Sequence, residues 1–196
     1  MKTLAVTGGI GSGKSEVCRY LESVGIPVYN SDIRAKLLYD ENPVIVMDIQ
    51  EALGCDITGP DGKLDRKKLG RIVFSDSNKL SILEGIVHPY VFEDFIRWRN
   101  DHFDEAPFNA MESAIMLERP LFRSLCDKVL FVDAPFEKRL ERAMLRDSTS
   151  EEVVRARMKA QKFDKSKVDA VVMNDSDLKT LFGRVDKILQ TIWNEN

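Results

Sequence analysis

A chain of 196 residues with 29 basic and 32 acidic side chains has a formal charge of −3, which argues against a general nucleic-acid binder. No apolar run reaches the ~20 residues that a transmembrane helix needs, and the first residues enter a strand pattern without the charged region and cleavage site of an export signal. Cys18, Cys55 and Cys126 are odd in number, far apart and without a C-x-x-C pair, as expected of reduced, partly buried thiols in a cytoplasmic protein with no membrane partner.

The first predicted element, Thr3-Leu4-Ala5-Val6-Thr7, reads as a short buried strand. It runs into Gly8-Gly9-Ile10-Gly11-Ser12-Gly13-Lys14-Ser15, which fits G-x-x-x-x-G-K-[ST], and Val17, Tyr20, Leu21 and Val24 then fall at helical spacing. Four glycines in six residues let the backbone wrap its N–H groups around an anion, and the helix adds its positive end. In nucleoside triphosphate sites of this kind the lysine bridges the β- and γ-phosphates and the hydroxyl, here that of Ser15, ligates magnesium. Gly25 and Pro27 end the helix, and Pro27 to Asn30 form a second strand, so residues 3–30 make one βαβ unit and predict a parallel sheet. Asn30, Ser31 and Asp32 follow its carboxyl end, where ligands of open α/β sheets sit.

From 33 to 107 the pattern is helical. Ile33 to Tyr39 form one helix, and Asn42-Pro43 open a second through Leu53. Asp65 caps a third through Phe74, Ser75 or Ser77 starts a fourth, and His88-Pro89 starts a fifth with Val91, Phe92, Phe95, Ile96 and Phe103 inward. A βα fold that pauses for so long carries an insertion, and insertions at strand ends usually bind substrate. Strands resume at Phe108–Glu112 and Lys128–Asp133, with a short helix beginning at Glu118-Arg119-Pro120 between them. Ala170–Met173 is the fifth strand, and Leu178 to Ile192 form a final helix with a continuous 3.6-residue stripe. Arg139, Arg142 and Arg146 share one face of the helix after the fourth strand. A capping-box turn at Asp147–Ser150 leads to another helix carrying Arg155 and Arg157, an arrangement suited to a lid that brings positive charge to a transferring phosphoryl group.

The ordered set of Thr7–Ser15, Asp32, Gly62–Arg66 with Leu69 and Val73-Phe74, His88-Pro89, Leu117-Glu118, Cys126–Val129, Val132-Asp133, Arg142 and Arg146, Arg157 with Gln161, and Asp169 with Asn174 resembles the dephospho-CoA kinases from end to end. The resemblance implies an α/β fold: a P-loop NTPase-type, doubly wound core of five parallel strands from 1–32 and 108–196, a helical CoA-substrate-binding insertion at 33–107 and a lid at about 139–162. It implies transfer of the ATP γ-phosphoryl group to the ribose 3′-hydroxyl of dephospho-CoA, the last step of CoA synthesis, with ATP and Mg2+. Asp32 matches the family's proposed base, and Lys14, Arg142 and Arg146 complete the catalytic set. Gly8, Gly9, Gly11, Ser12, Gly13, Lys14, Ser15, Glu16 and Asn174 border ATP, and Ser15 holds Mg2+. His88 reads as structural, through helix initiation.

The chain departs from the pattern where Asn30-Ser31-Asp32 replaces Asp-x-Asp, Lys36 an arginine, Glu16 a second hydroxyl residue and Ala114 a proline. Two rivals are a P-loop kinase for another small hydroxyl substrate, such as a nucleotide or sugar acid, and a nucleotide-dependent switch. Asp56-Ile57-Thr58-Gly59 fits D-x-x-G of the latter, but no N-K-x-D follows. The reading favours a monomer.

Overall fold

The computed structural model describes residues 1–114 and 120–193. Its chain divides into two compact units, Met1–Tyr29 with Asp101–Asn196, and Asn30–Asn100. The helical unit therefore begins three residues before the expected insertion and ends seven before it. Residues 101–107 go with the sheet because Ala106 packs on its core.

The first unit is built on a five-stranded parallel sheet in the order β2-β3-β1-β4-β5. These strands are β1 (Lys2–Gly8), β2 (Val28–Asn30), β3 (Phe108–Glu112), β4 (Lys128–Asp133) and β5 (Ala170–Met173). Central β1 is buried from Thr3 onward on both faces, as a parallel strand covered on both sides must be. Its register sets Val6 beside Glu112 of β3 and Leu130 of β4, so β3 ends short of the glycine loop while β4 runs alongside β1 to Gly8 and beyond. Two aspartates fasten that register: Asp127 accepts the Thr3 N–H at 2.7 Å, and Asp169 accepts the Val129 N–H at 2.7 Å. Both belonged to the residues that carried the resemblance, and both act on strand edges.

One face of the sheet packs on α1 (Lys14–Ser23) and α9 (Leu178–Ile192). Val17 and Leu21 of α1 and Leu181, Val185 and Ile192 of α9 share a core with Leu4, Val6, Leu130, Val132 and Val172. Tyr20 stacks on Phe182 with ring centroids 4.3 Å apart, which locks the two helices together. After the short α6 (Pro120–Arg123) and β4 come α7 (Phe136–Asp147) and α8 (Glu151–Ala160), which bury Leu140, Ala143, Val154 and Met158 against one another with Ile10 packed alongside. The link between them turns on Ser148, left-handed at φ +47°, and Ser150 caps α8 without a side-chain hydrogen bond, so the expected capping box does not form. The expected helix start at Glu118-Arg119 lies outside the described residues, as does Leu117.

The second unit holds α2 (Ser31–Glu41), α3 (Pro43–Leu53), α4 (Arg66–Phe74) and most of α5 (Ser77–Asp101). Caps act where the sequence places them: Asn42 Oδ1 accepts the Val44 N–H at 3.2 Å before Pro43-led α3, and Asp65 accepts from Lys67 and Lys68. Arg34 ties α2 to α5 through a two-pronged pair with buried Asp94 at 2.9 and 3.0 Å. The expected break at His88-Pro89 is absent. α5 runs for 25 residues with Pro89 inside it, so His88 initiates no helix. Val91 and Phe95 are buried as expected, whereas Phe103 is 55% exposed because it lies beyond the helix end.

Candidate active site

The sheet delivers β1 to a loop whose backbone only glycine permits. Gly13, the N-cap of α1, has φ +97°, and a Cβ there would run into the Asn174 side-chain amide; a Cβ at Gly11, φ +73°, would meet the Arg139 carbonyl. The loop is closed by Ser12 N–H to Gly9 carbonyl at 3.1 Å, and α1 begins with Glu16 N–H to Gly13 carbonyl at 3.0 Å. Lys14 folds back over the loop, its Nζ donating to the Gly8 carbonyl at 2.8 Å and the Gly9 carbonyl at 3.3 Å. These two carbonyls hold its ammonium at the loop mouth.

Three elements brace the loop from outside. Asn174, just past β5 and 3% exposed, donates from Nδ2 to the Ser12 carbonyl at 2.9 Å. Gln161, at the end of α8, accepts the Ile10 N–H at 2.8 Å, and Arg139 of α7 donates from Nε to the Ile10 carbonyl at 3.0 Å. Burial lowers the Arg139 pKa, while the charge of Asp133 opposes that shift. Arg142 lies close by, with Nη1 at 3.5 Å from the Asn174 carbonyl.

At the foot of α1 the Ser15 hydroxyl donates to Glu112 Oε1 at 3.0 Å. Glu112 is 8% exposed at the carboxyl end of β3. The Cys18 thiol donates to the same carboxylate; burial pushes its pKa well up, and the charges of Glu112 and Glu22 push it further. A hydroxyl and a carboxylate at this separation are hard oxygen donors of the kind magnesium takes alongside phosphate oxygens and water, so the residues present fit that ion.

The sequence profile of the family described as dephospho-CoA kinase matches residues 2–180. A dephospho-CoA kinase of Porphyromonas gingivalis is 42% identical over 196 residues, covering 98% of this chain and 95% of that protein. The chain belongs to the dephospho-CoA kinase family. The solved structure of TT1252 from Thermus thermophilus superposes with a TM-score of 0.81 at 31% identity over 97% of each chain. That of a dephospho-CoA kinase from Campylobacter jejuni gives 0.69 at 26% identity over 98% of each. As a dephospho-CoA kinase the protein is a transferase that uses ATP to phosphorylate dephospho-CoA in coenzyme A biosynthesis.

Within this dephospho-CoA kinase the first unit brings Gly8 to Ser15, Arg142 and Asn174 together. Arg146 is not among them: it is 64% exposed and forks onto Asp147 at 2.8 and 3.1 Å, with Arg157 joining the same carboxylate at 3.2 Å. The hydrogen bonds from Arg146 hold the Asp147 carboxyl below the usual range. The Glu16 side chain pairs with Arg19 one turn along α1. Asp32 is the second residue of α2, exposed, and Asn30 before it caps that helix by accepting the Ile33 N–H at 2.9 Å. Glu112 and the contact of Arg139 with the loop escaped the sequence. The signal for Glu112 was an acid at the end of a buried strand, as Asp133 closes β4.

Proposed function

We propose that the first unit holds ATP through Gly8 to Ser15 and Asn174, and that residues 33–107 present the ribose 3′-hydroxyl of dephospho-CoA to its γ-phosphoryl group with Asp32 as proton acceptor. The observation that carries the donor half is the Lys14 ammonium at the loop mouth, its donors resting on two backbone carbonyls that a phosphate replaces. Magnesium, when bound, neutralises charge on the β- and γ-phosphates. Ser15 would hold it, with Glu112 fixing the direction of the Ser15 hydroxyl.

Lys14 and Arg142 stabilise charge on the transferring group, and Arg146 joins them only by giving up Asp147. A ribose hydroxyl is a weak nucleophile, so an acceptor on its proton both aligns and activates it; in a loose phosphoryl transition state the alignment matters more. Asn30 leaves this part of the chain with one acid where the family pattern has two, and Lys36 puts an ammonium where that pattern has an arginine's fork. The protein acts in this reading as a cytoplasmic monomer, and its three free cysteines accord with a reducing compartment.

The test is ADP release from ATP and Mg2+ with dephospho-CoA as acceptor. Asp32→Asn is expected to bind ATP as before and to lose about 100-fold or more in kcat, the size of a general-base contribution. Near-normal kcat removes Asp32 from the role. Phosphorylation of adenosine, AMP or gluconate in preference to dephospho-CoA overturns the acceptor.

A further inference from the structure

We propose that Arg139 binds the terminal phosphoryl group of the triphosphate and shares it with Lys14. The inference rests on the reading that the glycine loop holds ATP. Arg139, Arg142 and Arg146 are equivalent by helical spacing, yet the structure separates them. Arg146 is spent on Asp147, as are Arg155 on Glu151 at 2.6 Å and Arg157 on Asp147 at 3.2 Å. Arg139 makes no ion pair among the described residues. Asp133, the acid whose charge it feels, is held by Lys165 at 2.6 Å and accepts the Ala134 N–H at 2.9 Å.

The Arg139 guanidinium lies against the loop at the residue that Lys14 also touches. A Cβ added to Gly9 would collide with Arg139 Nη2, and the Gly9 carbonyl accepts from Lys14 Nζ at 3.3 Å. Its Nε is fixed on the Ile10 carbonyl at 3.0 Å, which orients the rigid plane and leaves the Nη nitrogens as donors. Ile10 is held at its other backbone group by Gln161, which accepts its N–H, so both peptides flanking Ile10 are fixed before an anion arrives. A partly buried cation without a carboxylate is costly, and burial already weakens its hold on the proton. A phosphoryl group between Arg139 and Lys14 offsets that cost. Loop lysines of this class reach the β- and γ-phosphates, and of these the group shared at Gly9 is taken as the terminal one. ATP, but not ADP, supplies it.

The experiment titrates the full-length protein, in the presence of Mg2+, with ADP and with a non-hydrolysable ATP analogue, by calorimetry. Arg139→Gln is expected to weaken the analogue about tenfold or more and ADP by no more than about twofold. Arg139→Lys is expected to recover part of the difference, keeping the charge but losing the fork. Equal losses for both nucleotides mean that Arg139 only anchors the loop and overturn the proposal, as does no loss. If Arg139→Gln fails to fold, Arg139→Lys decides on the same ratio. Lys14→Ala separates the two readings: if it leaves both affinities unchanged, the loop does not hold the nucleotide. If it weakens binding while the Arg139 variants do not discriminate, only the role of Arg139 fails.

Discussion

The Ser15 hydroxyl donates its hydrogen bond to Glu112 at 3.0 Å, which leaves its lone pairs directed away, toward the metal proposed for this site. Glu112→Gln keeps the size and loses both the charge and the obligatory acceptor. Its expected effect is about a tenfold rise in the Mg2+ concentration for half-maximal turnover, with ATP affinity in EDTA unchanged; wild-type Mg2+ dependence would remove Glu112 from this role. The loop glycines were legible because a fixed spacing encodes a fixed backbone. Glu112 was not, because which strand end lies beside Ser15 depends on a sheet order that pairs residues more than a hundred positions apart. Among the lid arginines helical spacing shows a common face but not the competition on it. The carboxylate next in sequence takes Arg146, and the glycines under Arg139 let it settle on the loop.

At the level of elements, start and stop signals worked where they were local. Asn42-Pro43 and Asp65 begin their helices as read, and Gly54, at φ +62°, closes α3. Pro89 misled because its usual effect, a missing N–H and a ring against the carbonyl four residues back, is tolerated inside α5 by long flanks and by Gly85 at that carbonyl. The cost remains in the folded state. Pro89→Ala restores the N–H and is expected to stabilise the protein by about 1–3 kcal/mol, after allowing for the freer unfolded chain. Urea unfolding reads this, and an unchanged or lower midpoint would mean that the ring packs usefully where it stands. In α2 the apolar side chains of Ile33 and Leu37 are exposed and Leu38 is the leucine buried, a choice that the short run of residues 33–39 does not encode.

Across the whole molecule the α/β class, the five strands and the helical excursion follow from the alternation of elements, whereas the joint between the units does not, because Cα packing rather than pattern assigns Asp32 to the helical unit. The clasp of α1 on α9 makes global stability sensitive to alkali. The hydrogen bond to Asp186 pushes the Tyr20 pKa up to about 12. A group whose folded pKa is raised stabilises fully below its unfolded value, near 10, and loses that contribution as pH rises through 12. Tyr20→Phe is therefore expected to be less stable at pH 8 and to decline less steeply between pH 10 and 12, as urea midpoints across that range will show; parallel declines would refute it. The sheet order also sets a timetable for biosynthesis. β1 leaves the ribosome first, but its partners at 108–112 and 128–133 follow about a hundred residues later. At roughly 5–20 residues per second the strand waits about 5–20 s for its neighbours, and over that interval its apolar residues and ladder groups are left without the partners that bury them.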